Sequence, residues 1–252
     1  MKPRILVVND DGIYGEGLRP LAKALSSVGE VTVVVPEKEQ SAASHAITLH
    51  KPIRLRRLGE RFFIINGTPA DCARFGALYL LKKPPDIVVS GVNQGANMGA
   101  DTLYSGTVGA AKEACFLGFP AVAVSLVQPA EKHFDSAARV AREVTRLVLK
   151  NGLPPNVCLN VNVPDRPWTS LRGTVLTSLG KRLYGRQHVP RLDPRGRAYY
   201  WMAGHTPKGI PTPGSDLAAV RAGKVSITPL RLDITDGDAL VALRDWRWEK
   251  VK

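Results

Sequence analysis

Three cysteines and five histidines in 252 residues leave little room for thiol or imidazole chemistry. Cys72, Cys115 and Cys158 stand far apart, are odd in number and form no Cys-x-x-Cys pair. That argues against a disulfide framework and fits free, buried thiols in a reducing compartment. The histidines sit in no His-x-His or His-Glu-x-x-His arrangement, so a zinc site of the Cys/His kind is not expected. No apolar run is long enough to span a bilayer. The stretch "MKPRILVVNDD" is too short in its apolar part for a signal peptide, and carboxylates follow at once. A cytoplasmic protein without membrane contact is therefore expected. Aromatics make up only 6% and gather in "AYYWM" and "DWRW", where packing or subunit contact explains them better than base stacking. There is no internal repeat and no low-complexity tract.

What is present is an ordinary apolar content of 44% in a chain long enough for a sizeable core. The net charge is +13 and unevenly spread: residues 1–165 hold 19 Lys/Arg against 15 Asp/Glu, and residues 166–252 hold 16 against 7. A positive field of that kind attracts phosphate-bearing ligands without choosing between a nucleotide, a polyanion and a nucleic acid.

Strand and helix signals alternate over the first two thirds. "RILVV", "VTVVVP", "FFIING", "DIVVSG", "AVAVSL" and "VCLNVNVP" read as strands. Between them, "GLRPLAKALSSVG", "TPADCARFGALYLL", "GTVGAAKEACFLG" and Phe134 to Leu149 read as helices. The fold class is α/β, a Rossmann-like, doubly wound and mostly parallel sheet. After Pro164 prolines, glycines and arginines become frequent, "RAYYWMAG" and "VSITPL" read as strands, and "ALVALRDWRWEKV" reads as a terminal helix. Residues 166–252 are expected to be a β-rich extension of one domain, 1–252, whose core is roughly 1–165.

Ligands of an open α/β sheet bind beyond the carboxyl ends of the strands. Asn9, Asp10, Asp11 and Gly12 follow the first strand, and Ser41 and Ser44 the second. Asn93, Asn97, Ser105 and Thr107 follow "DIVVS". Two adjacent carboxylates with amide and hydroxyl oxygens suit Mg²⁺, Mn²⁺ or Ca²⁺, and a dication would relieve the repulsion between Asp10 and Asp11. "YSGTVGAAKEA" opens a small-residue helix whose first turn offers N–H groups and a hydroxyl to an anion. Metal and helix N-terminus together are what a phosphoryl group needs. "GTPADC" reads as a plain helix start, and His45 as a bystander.

In order along the chain, "ILVVNDDG", "PEKEQSAASHAITL", "NGTPADC", "PDIVVSGVNQGANMGADTLYSGTVGAAKEA", "LGFPAVAVSL", "LNVNVP", "DPRGRAYYW" and "GSDLAAVRAGKVSITPL" resemble the SurE family. The resemblance implies a metal-dependent phosphatase of nucleoside monophosphates, 5′- and often 3′-, and for some members short polyphosphate. It implies one divalent cation per subunit held by Asp10, Asp11, Ser41 and Asn93. Asn9, Asn97, Ser105, Gly106 and Thr107 would lie beside the phosphate. It also implies a homodimer or homotetramer formed through the C-terminal extension. Asp10 and Asp11 are the catalytic candidates, Asp10 either handling the proton of attacking water or being phosphorylated itself. Some relatives carry a histidine where Gly237 stands in "ITPLRLDITDGDA", so Asp233 is not assigned a role. The competing function is a polyanion-binding protein using Lys181, Arg182, Arg186, Arg191, Arg195 and Arg197. No nucleic-acid recognition module supports it, and nucleic acid is not expected as a partner.

Overall fold

The computed structural model describes residues 2–128, 130–185, 188–201, 208–248 and 251. The first strand, β1 (Arg4–Val8), is followed by α1 (Leu18–Ser26), β2 (Glu30–Pro36), β3 (Leu55–Gly59), β4 (Phe62–Ile65) and α2 (Pro69–Phe75). Next come β5 (Ile87–Gln94), α3 (Gly106–Phe116), β6 (Ala121–Val127), α4 (Phe134–Asn151) and β7 (Val157–Pro164). Of the later strands, β8 (Thr174–Leu176) and β13 (Val225–Arg231) join these in one nine-stranded sheet, ordered β3-β4-β2-β1-β5-β6-β7-β13-β8. The sheet is parallel except for the β3–β4 and β7–β13 pairs.

The continuous apolar strands are covered on both faces, as their sequences require. Leu18, Leu21 and Leu25 of α1, and Ala137, Val140, Ala141, Val144 and Val148 of α4, bury against Ile5, Val7 and Val89 on one face. On the other face α2 and α3 cover Leu6, Val8 and Val88. Small residues in α3 let it lie flat on the sheet, and nearly every residue of it is buried. The α2 start is the plain one expected: Thr68 and Asp71 form a reciprocal capping box with Pro69 in the first turn. One departure follows it. The helix does not run through to Leu81 but continues from Gly76 to Leu80 as a π-helical turn.

The chain winds outward from β1 through β2 and β4, then returns and winds the other way from β5 through β6 and β7. The reversal falls between β1 and β5, and in such sheets ligands bind at the carboxyl edge of that position. Asp10 and Asp11 follow β1 there, and Asn93 is the last residue but one of β5.

The segment after Pro164 contains more strands than the sequence pattern shows. Strands β10 (Val189–Leu192) and β11 (Ala198–Trp201) form one separate ribbon, and β9 (Lys181–Leu183) and β12 (Lys208–Ile210) another. Helix α5 (Asp216–Arg221) precedes β13. The expected terminal helix is shorter than its apolar pattern: α6 covers only Gly237–Ala242. Trp246 and Trp248 follow it, stacked with centroids 5.4 Å apart. Among the described residues no helix is long and apolar enough to cross a membrane.

Candidate active site

The Asn-Asp-Asp-Gly turn is built from its own residues. Asn9 is buried, and its Nδ2 donates to the Gly12 carbonyl at 2.8 Å. Gly12 has φ +74°, and a Cβ there would stand 3.1 Å from the Pro36 carbonyl oxygen. Both conditions favour glycine. The turn sets Asp10 against the first turn of α3. The Thr107 hydroxyl donates to Asp10 Oδ1 at 2.5 Å, and the Thr107 N–H donates to Oδ2 at 3.1 Å. Gly106 permits this approach, because a Cβ on it would meet Asp10 Cβ at 2.9 Å and Pro69 Cγ at 3.0 Å. Gly106→Val therefore separates Asp10 from α3. We expect it to lower the thermal midpoint by roughly 5 °C, the effect of about 2 kcal/mol of overpacking; an unchanged melting curve would show that the contact is slack.

Asp11 takes one N–H, from Gln94 at 3.2 Å, on Oδ2. Its Oδ1 has no such bond among the described residues. Only 4% of Asp10 is exposed. Burial raises the Asp10 pKa, and the Thr107 bonds oppose that rise. Burial, then the neighbouring charge of Asp10, raises Asp11 to about 7 against the Gln94 bond. Glu39 adds further negative charge to both.

Asn9 Oδ1 is buried without a partner among the described residues. Its orientation is fixed, since only the amide nitrogen can donate to the Gly12 carbonyl. An orphaned acceptor beside two desolvated carboxylates matches a cation or a cation's water. The donors are all oxygen, and among the described residues no three His, Cys, Asp or Glu side chains are grouped so as to hold a metal ion by themselves. The residues present therefore fit a hard divalent cation.

The other expected residues fall in two groups. Ser41 and Asn93 are each one residue from a direct bond to the carboxylate turn. Gln40 N–H donates to the Asp10 carbonyl at 2.8 Å, and Gln94 N–H to Asp11 as above. The Ser41 hydroxyl donates to Glu39 Oε1 at 2.6 Å, and Asn93 Nδ2 to the Gly95 carbonyl at 2.9 Å. Both side chains thus keep oxygen lone pairs free. Ser105 caps α3, accepting from Val108 N–H. Asn97 lies deeper. Its amide donates to Ser125 Oγ at 2.8 Å, and its carbonyl accepts from Asn160 and Asn162. Its observed bonds pin the loop to β6 and β7, and none joins Asp10 or Asp11.

His45 is more than a bystander. Its Nε2 lies 2.7 Å from Glu113 Oε2, and Arg74 Nη1 donates to Glu113 Oε1 at 2.6 Å. Glu113 thus ties the Ser41 loop and α2 to α3. The loop needs such anchors, because Ala42 and Ser44 have φ of 60° and 55°. Ser44 adds two bonds, to the backbone of Leu103 and Tyr104. A buried glutamate in a small-residue helix was the available sequence signal for this clamp. Burial pushes the Glu113 pKa up, but the bonds from His45 and Arg74 outweigh it and hold the carboxyl low. Its contribution is present above the ordinary glutamate range and fades as pH falls through the depressed value. Glu113→Gln is expected to lower the thermal midpoint at pH 7 by roughly 5 °C, since it strips the buried charge from two partners (about 2 kcal/mol). A shift under about 1 °C would remove the clamp.

The basic cluster of the competing function does not form one surface. Arg182 is largely buried and paired with Asp101, whereas Arg191, Arg195 and Arg197 belong to the β10–β11 ribbon and its turn. Arg186 lies outside the described residues. Asp233 is also remote. β13 runs antiparallel to β7, and Arg231 pairs with Val157 at the amino start of β7. The chain after Arg231 therefore leaves from the edge opposite the carboxylates. Asp233 is exposed there, bonded to Thr235 N–H.

The fold is a doubly wound α/β sheet with paired carboxylates at its topological switch, set against a helix N-terminus, an arrangement suited to anionic ligands and a hard cation. The chain matches the family described as "Survival protein SurE" over residues 5–186. It is 49% identical over 243 residues to 5′-nucleotidase SurE of Geobacter sulfurreducens, covering 96% of this chain and 93% of that protein. It is likewise 49% identical to 5′-nucleotidase SurE of Myxococcus xanthus over 248 residues, covering 97% and 93%. The crystal structure of the SurE protein from Aquifex aeolicus superposes with a TM-score of 0.85 at 36% identity, covering 96% of this chain and 98% of that one. The chain belongs to the SurE family.

Proposed function

We propose that this chain is a metal-dependent 5′-nucleotidase that releases phosphate from nucleoside monophosphates at the Asp10–Asp11 turn. The observation that carries the reading is the buried carboxylate pair with the orphaned Asn9 oxygen, set against the N-terminus of α3. The names of the relatives above point the same way. Asp10, Asp11, Ser41 and Asn93 would hold one divalent cation. When bound, that cation withdraws charge from phosphoryl oxygens and neutralises the carboxylates.

The remaining work falls to the chain. Thr107 holds Asp10 rigid through both of its oxygens. Proton handling, expected of Asp10, suits Asp11 better: Thr107 occupies both Asp10 oxygens, whereas Asp11 Oδ1 is unbonded among the described residues and can take the proton of an attacking water. The first turn of α3 presents a partial positive charge to phosphoryl oxygens, so preorganised electrostatics supply much of the acceleration.

Three supporting readings accompany this one. Buried free thiols at Cys72, Cys115 and Cys158 suit a reducing cytoplasm. The sheet shared by both parts of the chain suits one cooperative unit, 1–252. The extension exposes Leu192, Tyr200, Trp201, Ile234, Leu240 and Trp246, a surface suited to self-association as a dimer or tetramer.

The test is phosphate release from 5′- and 3′-nucleoside monophosphates and tripolyphosphate, with Mg²⁺ or Mn²⁺ and with EDTA. We expect release from 5′-nucleotides that EDTA abolishes. Release that survives EDTA, or none from folded protein supplied with metal, would refute the reading.

A further inference from the structure

A cleft of about 490 Å³ opens at the carboxyl edge beside the ends of β6 and β7. That volume suits a small organic ligand. Its floor is apolar. Met98, Val127 and Leu217 form a small buried cluster of their own, with Val220 packed against it. Its polar wall carries Arg166, Arg182 and Arg221, with Gln128, Glu131 and Asp165 beside them. Arg182 pairs with Asp101, yet its Nε is buried without a partner among the described residues. Arg166 and Arg221 have no carboxylate within ion-pair distance among the described residues. The nearby carboxylate of Asp165 is already engaged by the backbone N–H groups of Glu131, Lys132 and His133.

The cleft shares the carboxyl edge of the sheet with the carboxylate turn. Asn93 pairs with Ser125 across β5 and β6, and Val127 pairs with Pro164 across β6 and β7. From the end of β1 the floor is two to three strand spacings sideways and some two residues along, roughly 12–16 Å between backbones. The loop between them is held stiffly. Asn97 is bonded to β6 and β7, and Gly99 N–H donates to Asp216 Oδ2 at 2.8 Å. Met98, between them, is thereby fixed as floor. Asp216 also takes Gly180 N–H, which ties the β9 ribbon carrying Arg182 to the same point.

We propose that this cleft is the nucleoside subsite, with the base lying on the Met98–Val127–Leu217 floor beneath Arg166, Arg182 and Arg221. The proposal rests on the phosphatase reading above and adds the substrate class. Arginine only donates hydrogen bonds, so three arginines select a base edge made of acceptors. Guanine and hypoxanthine present O6 and N7 side by side, whereas adenine sets an amino donor next to N7. The site therefore favours 6-oxopurine nucleotides, GMP and IMP, over AMP.

The experiment compares kcat/KM for GMP, IMP, AMP and p-nitrophenyl phosphate in the wild type, Arg166→Ala and Arg221→Glu. We expect the wild type to prefer GMP over AMP by about tenfold or more, the discrimination of one good arginine–base pair. In the variants that preference should shrink, and the ratio of GMP to p-nitrophenyl phosphate should fall about tenfold, chiefly through KM. Ratios that stay within about twofold of wild type in both variants would overturn the subsite. Failure of the phosphatase reading looks different: the wild type would release no phosphate from p-nitrophenyl phosphate. In that case calorimetry with guanosine still decides the cleft. Binding that Arg166→Ala weakens supports it, and no guanosine binding by the wild type overturns it.

Discussion

Asp10→Asn is expected to lower phosphate release from nucleoside monophosphates by about a thousandfold or more. The substitution changes two things at once. It removes one of the two adjacent carboxylates that would hold a cation at the turn. It also replaces an acceptor by a donor. Both oxygens of Asp10 accept from Thr107, one from the hydroxyl and one from the N–H. With Oδ1 on the Thr107 N–H, an asparagine turns its amide nitrogen to the Thr107 hydroxyl, which must then accept where it had donated. The contact with α3 survives, and the lost charge carries the effect. The measurement is kcat/KM with saturating Mn²⁺, beside Mn²⁺ titration by calorimetry and a circular dichroism spectrum. Loss of metal binding in a folded variant is the expected pattern. Activity retained within about tenfold would place the chemistry elsewhere.

Asp11→Asn is expected to abolish activity while making the metal-free protein more stable. In the folded chain the Asp11 carboxyl titrates near 7, against 3.8 when unperturbed. Between those values the folded state binds more protons than the unfolded one, so stability falls as pH rises through the window. The penalty is absent below 3.8 and complete above about 7. Its upper figure is on the order of 4 kcal/mol, and partial exposure to water reduces it to about half. The neutral amide escapes the penalty. At pH 8 without metal the variant should melt roughly 5 °C above the wild type. The metal-free wild type should itself gain stability as pH drops from 8 towards 5. At lower pH the gain reverses, as Asp86, Glu113 and Asp165, all held low by their partners, take up protons. A saturating divalent cation should flatten the upper part of this profile. A metal-free variant melting at or below the wild type would contradict the account.

Much of this arrangement was legible in the sequence because it depends on chain periodicity and on loops that follow strands. The runs Ile5–Val8, Val31–Val35 and Ile87–Val89 could only be buried strands, and helices between them forced a parallel sheet. Once the sheet was parallel, the carboxyl ends of its strands named the candidate edge. Asp10, Asp11 and Asn93 follow or end their strands, so their offsets alone placed them at that edge, where the structure has them. The short strands of the extension were not legible. β8, β9 and β12 are each three residues long, mostly exposed, and set by partners distant in the chain. The roles of His45 and Asn97 were hidden for a related reason. A hydrogen bond between His45 and Glu113, or between Asn97 and Ser125, spans many residues and leaves no local pattern. The arginine-lined cleft joins the ends of β6 and β7 to α5 and the β9 ribbon, so no single stretch of chain announces it.

Strand β13 is inserted between β7 and β8, although β8 comes before it in the chain. That order constrains synthesis. When the ribosome has released the first two thirds of the chain, β7 is the open margin of a hydrophobic sheet. It keeps its unpaired backbone groups until Arg231 has emerged. β8 is already outside the tunnel by then, but among the described strands its partner in the sheet is β13. An unpaired apolar strand edge is a template for pairing with other chains. A nascent chain stalled anywhere between Pro164 and Val225 is therefore the species of this protein most prone to aggregate, and the one for which a ribosome-associated chaperone matters most.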